Sequence, residues 1–482
     1  MDGNKIRKKQ ARLLVMKFGG TSVGSSDAIA QTAHIIQDEC ANWEDVVVVV
    51  SAMSGVTDAL IACAKSAVTG DQEKYADLVC AVQKKHQRVV NELITNHEVK
   101  VKLQDELVVL FDTLRLLCQG IHIMGELTPR GMDAMISLGE RMNARMVSAL
   151  LHQNGFASQA VEATALIITD DSFQHAHPIM ELSRSKTRAA LQPLLADHII
   201  PVVTGFVAAN REGIITTLGR GGSDYTAALL GDFLNAQEVW TWTDVDGVMT
   251  ADPRIVPDAR VIPELTYNEV SEMAYFGAKV LHPQTIRPVI ERDIPLWVKN
   301  TFNPAFPGTR IDGCSKTERG RITAVTAIHG LSLITVEGRG MLGVPGIAAR
   351  TFAAVARHEA SVLMISQSSS EQSICFVIPS DMEVAVLQAI EDEMALELTR
   401  RDIDRVWAQP DVVIVTAIGS GMRQTPGVSA HLFGALGKKN INVIAIAQGS
   451  SEYSISVVVS AADADQAVRQ IHEEVICNEL SE

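Results

Sequence analysis

Long apolar runs are missing from this sequence. Nowhere do apolar residues approach the roughly 18 in succession that a transmembrane helix needs, so no membrane span is expected. The N-terminus lacks the apolar core of a secretory signal. It carries a short basic stretch instead (Lys5, Arg7, Lys8, Lys9, Arg12), read as a solvated tail. Aromatic residues make up only 5%, which argues against single-strand stacking platforms. A basic excess is also missing. Lys plus Arg number 42 against 57 Asp plus Glu, a net charge of −15 that argues against general nucleic-acid binding. The seven cysteines form no CxxC pair and their number is odd. Structural zinc and a disulfide framework are therefore not expected, and a reducing, cytoplasmic setting is.

What is present is ordinary globular composition, 47% hydrophobic over 482 residues. The length alone suggests about three domains. An internal repeat sharpens that figure. Shifted by 81 residues, Gly338, Gly340 and Met341 fall on Gly419, Gly421 and Met422, and Phe352 falls on Phe433. The segment ISQSSSEQSI from Ile365 falls on IAQGSSEYSI from Ile446. Each copy reads strand, Gly-rich turn, helix, two strands, helix, an order of βαββα with room for a last strand. Units of this size bury little alone and are expected to pack together.

Before about residue 310 the pattern differs. Val46–Val50 is an unbroken valine run, as expected for a strand covered on both faces. Leu13–Phe18, Ile199–Thr204 and Glu238–Thr243 read similarly, and helical stretches such as Ser137–Gln153 separate them. This implies an α/β domain with a largely parallel sheet. The segment 303–320, with Pro304, Pro307 and several glycines, reads as a linker.

Five segments carry candidate chemistry. In KFGGTSVG, Lys17 precedes Gly19 and Gly20 between a strand and a helix, a place where glycine amides and a helix N-terminus can meet an anion. It is not a Walker A loop. SAMSGVT, from Ser51 to Thr57, follows the valine strand at the end where open sheets bind ligands. In GRGGSDYT, Arg220 can grip a carboxylate with two parallel bonds, and Asp224 can orient an ammonium or hold a lysine. WTDVDGV and ADPR, with Thr243, Asp244 and Arg254, could hold a base, a ribose or a magnesium-bound phosphate. FGAKVLHP adds Lys279 as a second phosphate ligand. Two apparent motifs are set aside. Gly338-Arg339-Gly340-Met341-Leu342-Gly343 fits a dinucleotide fingerprint, but its repeat copy lacks the third glycine. His175-x-His177 reads as a loop feature, not a metal pair.

In this order the motifs KFGGTSV, SLGERMNARM, TTLGRGGSDYTAALL, WTDVDGV, ADPR and FGAKVLHP resemble the aspartokinases of the amino-acid kinase family, over nearly everything from Leu13 to about Val475. The repeat resembles the paired ACT domains of that family. The resemblance implies an α/β amino-acid kinase fold, three-layered with a mainly parallel sheet, followed by two ferredoxin-like βαββαβ ACT domains. The implied limits are a basic tail at 1–12, a kinase domain at 13–310, a linker at 311–320 and ACT domains at 321–404 and 405–482, with interleaving of the two left open.

It implies transfer of phosphate from ATP, carrying Mg²⁺, to the side-chain carboxylate of L-aspartate, the first step toward lysine, threonine and methionine. Lys17, Arg220, Asp224 and Lys279 are then catalytic. Ser51, Thr57, Glu140, Phe206, Arg220 and Ser223 bind aspartate, Glu140 taking the ammonium and Arg220 the α-carboxylate. Lys17, Gly19, Gly20, Thr243, Asp244, Met249, Arg254 and Lys279 line the nucleotide site, with no protein-borne metal site. Met249 departs from the family's usual tyrosine. A polarizable thioether can still pack on a ring.

The ACT pair implies an amino-acid effector, threonine favoured over lysine, bound near Gln367, Gln448 and Ser450, and a homodimer or homotetramer formed through these domains. The repeat segments look more like those of the bifunctional aspartokinase–homoserine dehydrogenases. Whether the chain is a stand-alone kinase or part of a longer protein stays open. So do two other readings, an amino-acid sensor with little kinase activity and a family member acting on another carboxylate.

Overall fold

A computed structural model describes residues 12–278, 281, 283–313, 321–341, 346–367, 372–422, 425–448 and 452–477. The basic tail before Arg12, Lys279 and Ser450 lie outside the described residues. In chain order the helices are α1 (Ser26–Cys40), α2 (Val56–Val68), α3 (Gln72–Leu93), α4 (His97–Met124), α5 (Pro129–Ile136), α6 (Leu138–Gln153), α7 (Met180–Ala196), α8 (Gly222–Leu234), α9 (Tyr267–Tyr275), α10 (Pro283–Ile290), α11 (Ile347–Arg357), α12 (Glu383–Glu393), α13 (Ala395–Arg400), α14 (Val428–Lys438) and α15 (Ala464–Ile471).

Packing divides the chain into two compact units. The first is drawn from Met1–Val248, Pro263–Tyr267 and Leu281–Ser315. Its strands are β1 (Leu13–Phe18), β2 (Asp45–Val50), β3 (Ser158–Val161), β4 (Ile168–Thr169), β5 (Ile200–Thr204), β6 (Val207–Asn210), β7 (Ile215–Thr217), β8 (Glu238–Thr243), β9 (Glu264–Thr266), β10 (Leu296–Asn300) and β11 (Thr309–Asp312). Eight form one sheet in the order β3-β5-β2-β1-β8-β10-β11-β9, and β4, β6 and β7 form a small second sheet. The run from β3 through β10 is parallel. Every residue of β1 is buried, as the valine-rich reading required of strands covered on both faces. The segment read as a linker contains β11, which pairs antiparallel with β10 and parallel with β9. The prolines and glycine at 304–308 are the turn between β10 and β11, not the end of the domain.

Helix α4 is long and apolar enough to span a bilayer by length and composition alone. Leu103, Leu107, Leu110, Phe111, Leu114, Cys118 and Ile121 are instead buried in the core of this unit. Caps bound it: the Asn96 side chain accepts from the Val99 N–H, and Gly125 ends it in the left-handed region at φ 65°.

The second unit is drawn from Met249–Ile262, Asn268–Val280 and Lys316–Glu482. A single cut near residue 310 therefore does not describe the chain. Residues 249–262 pack with the C-terminal unit because the Val325 N–H donates to the Thr250 carbonyl at 2.8 Å, and Ala251 and Val256 join a core with Leu432 and Val457. Thr323 Oγ1 likewise donates to Glu269 Oε1 at 2.8 Å.

The strands here are β12 (Ile322–Glu337), β13 (Met364–Gln367), β14 (Ser373–Pro379), β15 (Arg405–Gly419), β16 (Ala445–Ala447) and β17 (Ser454–Ser460). They form one sheet in the order β13-β14-β12-β15-β17-β16. β12 and β15 are each double length and shared between the repeats. The later half of β12 pairs with β14, and its earlier half pairs with the end of β15 that also pairs with β17. The Ile322 and Val325 side chains accordingly lie in the core of the second repeat, while Val406 lies in that of the first. The first repeat thus runs unbroken from the later half of β12 to the start of β15, and the second repeat takes its sixth strand from the segment 322–328 that precedes the first.

Candidate active site

In the first unit the C-terminal ends of β5, β2, β1 and β8 lie side by side. From β1 the chain order runs to β2 and β5 on one side and to β8 and β10 on the other. That is a topological switch point, the place where open α/β sheets open a crevice for ligands. The loops after these four strands contain the residues singled out from sequence.

The loop after β1 is tied down on both sides. The Gly19 N–H donates to the Trp242 carbonyl at 3.0 Å, and Ser22 Oγ donates to the same oxygen at 3.2 Å. The Ser54 N–H donates to the Gly20 carbonyl at 3.0 Å. A Cβ on Gly20 would stand 3.1 Å from the Ala52 carbonyl oxygen. Only a residue without a side chain lets the β1 and β2 loops pack this closely.

Lys17, at the end of β1, is nearly buried, and its Nζ lies 2.7 Å from Asp224 Oδ1 in the first turn of α8. Before that helix, Gly219 and Gly221 both have φ 74°, a left-handed backbone that suits glycine. Arg220 between them is exposed and makes no ion pair with a described residue. The helix N-terminus there presents free N–H groups and positive potential.

Glu140 projects from α6 and is 4% exposed. Its Oε2 has no hydrogen-bond partner, and burial pushes its carboxyl up to about 8 while an Ala52 backbone bond opposes the shift. An unpartnered buried carboxylate is costly unless a cation is to join it. Close packing sets its position: a Cβ on neighbouring Gly139 would come within 2.7 Å of the Ala52 Cβ. Ser51 and Thr57 are half-buried on the β2 loop and the start of α2.

Phe206 follows β5 in the left-handed region, φ 67°, with its N–H donating to Thr226 Oγ1 at 3.1 Å. A bulky residue there is strained, and strain of this kind gathers at functional sites. A Cβ on Gly205 would stand 2.6 Å from Ser223 Oγ, so the β5 turn and the start of α8 are in direct contact. After β8, Thr243 Oγ1 donates to the exposed Asp244 at 3.1 Å.

Met249 and Arg254 pack with the second unit, where Arg254 pairs with Asp252. Gln367 ends β13 and Gln448 follows β16, both exposed at equivalent places in the two repeats. His175 and His177 lie on the loop between β4 and α7, and no group of metal-binding side chains occurs among the described residues.

The sequence reading missed three supports. Asp133, fully buried in α5, accepts from the Gln174 N–H (2.9 Å), the Thr217 N–H (3.1 Å) and Thr217 Oγ1 (2.8 Å). It holds the strand that leads into Arg220. Burial still keeps its carboxyl above the ordinary range. Asn143, one turn beyond Glu140 on α6, donates to the Ser51 carbonyl at 2.6 Å. Lys299 sits over the Trp240, Trp297 and Trp242 rings at 4.6, 5.2 and 5.7 Å, bracing the strand whose carbonyl anchors Gly19. An acid and an amide at regular distances before and after Glu140 were the available signals for the first two.

Comparison with known proteins agrees with this arrangement. Residues 12–300 match the Amino acid kinase family, and residues 334–394 and 415–475 each match the ACT domain. The chain is 39% identical over 469 residues to a chloroplastic bifunctional aspartokinase/homoserine dehydrogenase of Daucus carota, covering 95% of this chain and 50% of that protein. It therefore spans about half the length of such curated relatives. It is 32% identical to the chloroplastic aspartokinase 2 of Arabidopsis thaliana, covering 95% of this chain and 83% of that one. Among solved structures it resembles E. coli aspartokinase III in complex with aspartate and ADP, with TM-score 0.80, 30% identity, and 96% and 100% of the two chains covered.

Proposed function

Since this chain belongs to the amino acid kinase family, and within it to the aspartokinases, we propose that it phosphorylates the side-chain carboxylate of L-aspartate with ATP. One observation carries the choice of an amino-acid substrate: the buried, unpartnered Glu140 oxygen, which suits a substrate ammonium group. The related aspartokinase III is described with aspartate and ADP.

The chemistry asks for little acid–base help. A substrate carboxylate is already ionised near neutral pH, so no general base is required. A carboxylate oxygen attacks the γ-phosphorus, the bond to the bridging oxygen breaks, and ADP leaves with that electron pair. The obstacle is the approach of two anions. Alignment and charge neutralisation must lower it. In this reading Lys17 neutralises the transferring phosphoryl group, and Asp224 holds the Lys17 ammonium in place. Gly20 offers its amide to the phosphates, while the Gly19 N–H, expected to do the same, is taken up by the Trp242 carbonyl. Arg220 grips the aspartate α-carboxylate and Glu140 its ammonium, with Ser51, Thr57, Phe206 and Ser223 around them. Thr243 and Asp244 border the nucleotide. For Met249, Arg254 and Lys279 the nucleotide role rests on motif match alone. Oxygen donors such as Asp224 and Asp244 suit a hard divalent cation, and Mg²⁺ brought in on ATP would supply further charge neutralisation.

Regulation belongs to the same proposal. Gln367 and Gln448, related by the repeat, bind an amino-acid effector, threonine in preference to lysine, and the ACT repeats carry a homodimer or homotetramer contact. A cytoplasmic location fits the scattered thiols. A substrate panel tests the reading: ADP release should depend on aspartate, and turnover with glutamate or acetylglutamate instead would overturn it.

A further inference from the structure

Helix α4 is apolar on two opposite faces. One faces the core. The other carries Val101, Val108, Leu116 and Ile123, exposed at 42%, 50%, 67% and 82%. At 100° per residue these side chains lie on the line directly opposite Leu103, Leu110, Leu114 and Ile121. Between them on that outer line stand three exposed polar residues, Asp105, Asp112 and Gln119. A soluble surface helix normally presents polar residues all along its outer face, so four large exposed aliphatic side chains recurring along this one mark an interaction surface.

The order of the row identifies the occupant. Read from Val101 to Ile123, the outer positions are spaced 4, 3, 4, 4, 3 and 4 residues apart. They are symmetric about Asp112. Val101 and Ile123 are equally distant from it, and so are Asp105 and Gln119, and Val108 and Leu116. An antiparallel copy of the same helix would therefore set aliphatic against aliphatic and polar against polar along the whole row. Two successive 11-residue repeats give about 3.67 residues per turn, close enough to the helical period for the row to stay straight. At the centre the two Asp112 carboxylates would approach each other. Each is already paired with its own Arg115, at 2.7 Å, so the centre is neutral. Three polar residues along the row make a poor lipid-facing surface, and a dissimilar partner would give no reason for the symmetry.

We propose that the outer face of α4 is a self-docking surface on which two copies of this chain pair antiparallel about a two-fold axis at Asp112. The contact is isologous: each surface is its own complement, so the assembly closes. It is separate from any contact made by the ACT repeats and does not depend on the catalytic reading.

Two experiments on the full chain decide it. Light scattering after gel filtration should give Leu116→Glu half the mass of the wild type, with the circular dichroism spectrum kept. Equal masses, or a monomeric wild type, would overturn the proposal. The register is tested in a Cys80→Ser background, which removes an exposed thiol. A mixture of Val101→Cys and Ile123→Cys chains should form an interchain disulfide under mild oxidation. Neither variant should do so alone, because like positions stand about 33 Å apart along the pair at 1.5 Å per residue. A mixture that fails to cross-link, or single variants that cross-link as well as the mixture, would contradict it even if Leu116→Glu does not fold.

Discussion

Lys17 Nζ stands 2.7 Å from Asp224 Oδ1, joining the end of β1 to the first turn of α8. The pair fixes a cation beside the Gly20 amide and the first turn of α8. Lys17→Met should lower kcat by about 10²-fold or more, the range seen when one group that stabilises transition-state charge is lost. Steady-state kinetics with a circular dichroism control measures it. Asp224→Asn should lower kcat less, since the lysine remains but is no longer held.

Glu140 makes aspartate binding depend on pH. Its carboxyl titrates near 8 when the site holds no cation, well above the value of about 4.3 for a free glutamate. Between those values the folded protein holds a proton that the unfolded chain does not. Binding an ammonium requires that proton to leave. The KM for aspartate should therefore fall as pH rises from about 6.5 to about 8, and calorimetry in two buffers should detect proton release. In Glu140→Gln this dependence should vanish and KM should rise. The same raised value makes Glu140 a stability cost that grows with pH above the unfolded value and is complete above pH 8. Glu140→Gln should thus gain stability relative to wild type in alkaline buffer, read from melting temperatures across pH.

Asp133 supports the Arg220 loop without belonging to it. Asp133→Ala would leave the Gln174 and Thr217 N–H groups without their carboxylate acceptor. Each unsatisfied buried donor costs about 1–3 kcal/mol, so the melting temperature should fall by several degrees. The KM for aspartate should rise more than the KM for ATP. Denaturant titration and separate substrate titrations check the two halves of this prediction.

Gly205 tolerates no side chain. A methyl group there would overlap Ser223 Oγ at 2.6 Å and crowd the Val50 carbonyl at 3.0 Å. Gly205→Ala should push the β5 turn away from α8 and cut kcat/KM for aspartate by about tenfold or more, as small displacements near a reacting group do.

Gln367 and Gln448 occupy equivalent places at the sheet edges. If they hold an effector, Gln448→Ala should raise the threonine concentration needed for half inhibition while leaving uninhibited turnover unchanged. Inhibition curves with threonine and with lysine measure it.

Much of this was legible in the sequence because the signals were local. Strand β2 is a valine run, α6 stops at Asn154-Gly155, and Lys17, Arg220 and Asp224 each sit in or beside a run of glycines. The completion of the second repeat by a strand from ahead of the first was not legible. It depends on Ile322–Ile328 pairing with a segment about ninety residues later, and strand pairing at that range leaves no trace in local periodicity. Strand β11 was hidden for a related reason. Four residues between a Pro-Gly turn and a glycine read as loop, and only pairing on both edges makes them a strand. Asp133 and Asn143 looked like ordinary polar positions on helices, because what makes them important is burial against another loop.

The measurement that bears most directly on the whole account is trapping of the acyl phosphate. Wild-type protein with MgATP, L-aspartate and hydroxylamine should accumulate aspartyl hydroxamate in step with ADP. Lys17→Met should form neither above background. ADP release without hydroxamate, or hydroxamate formed by Lys17→Met at the wild-type rate, would contradict it.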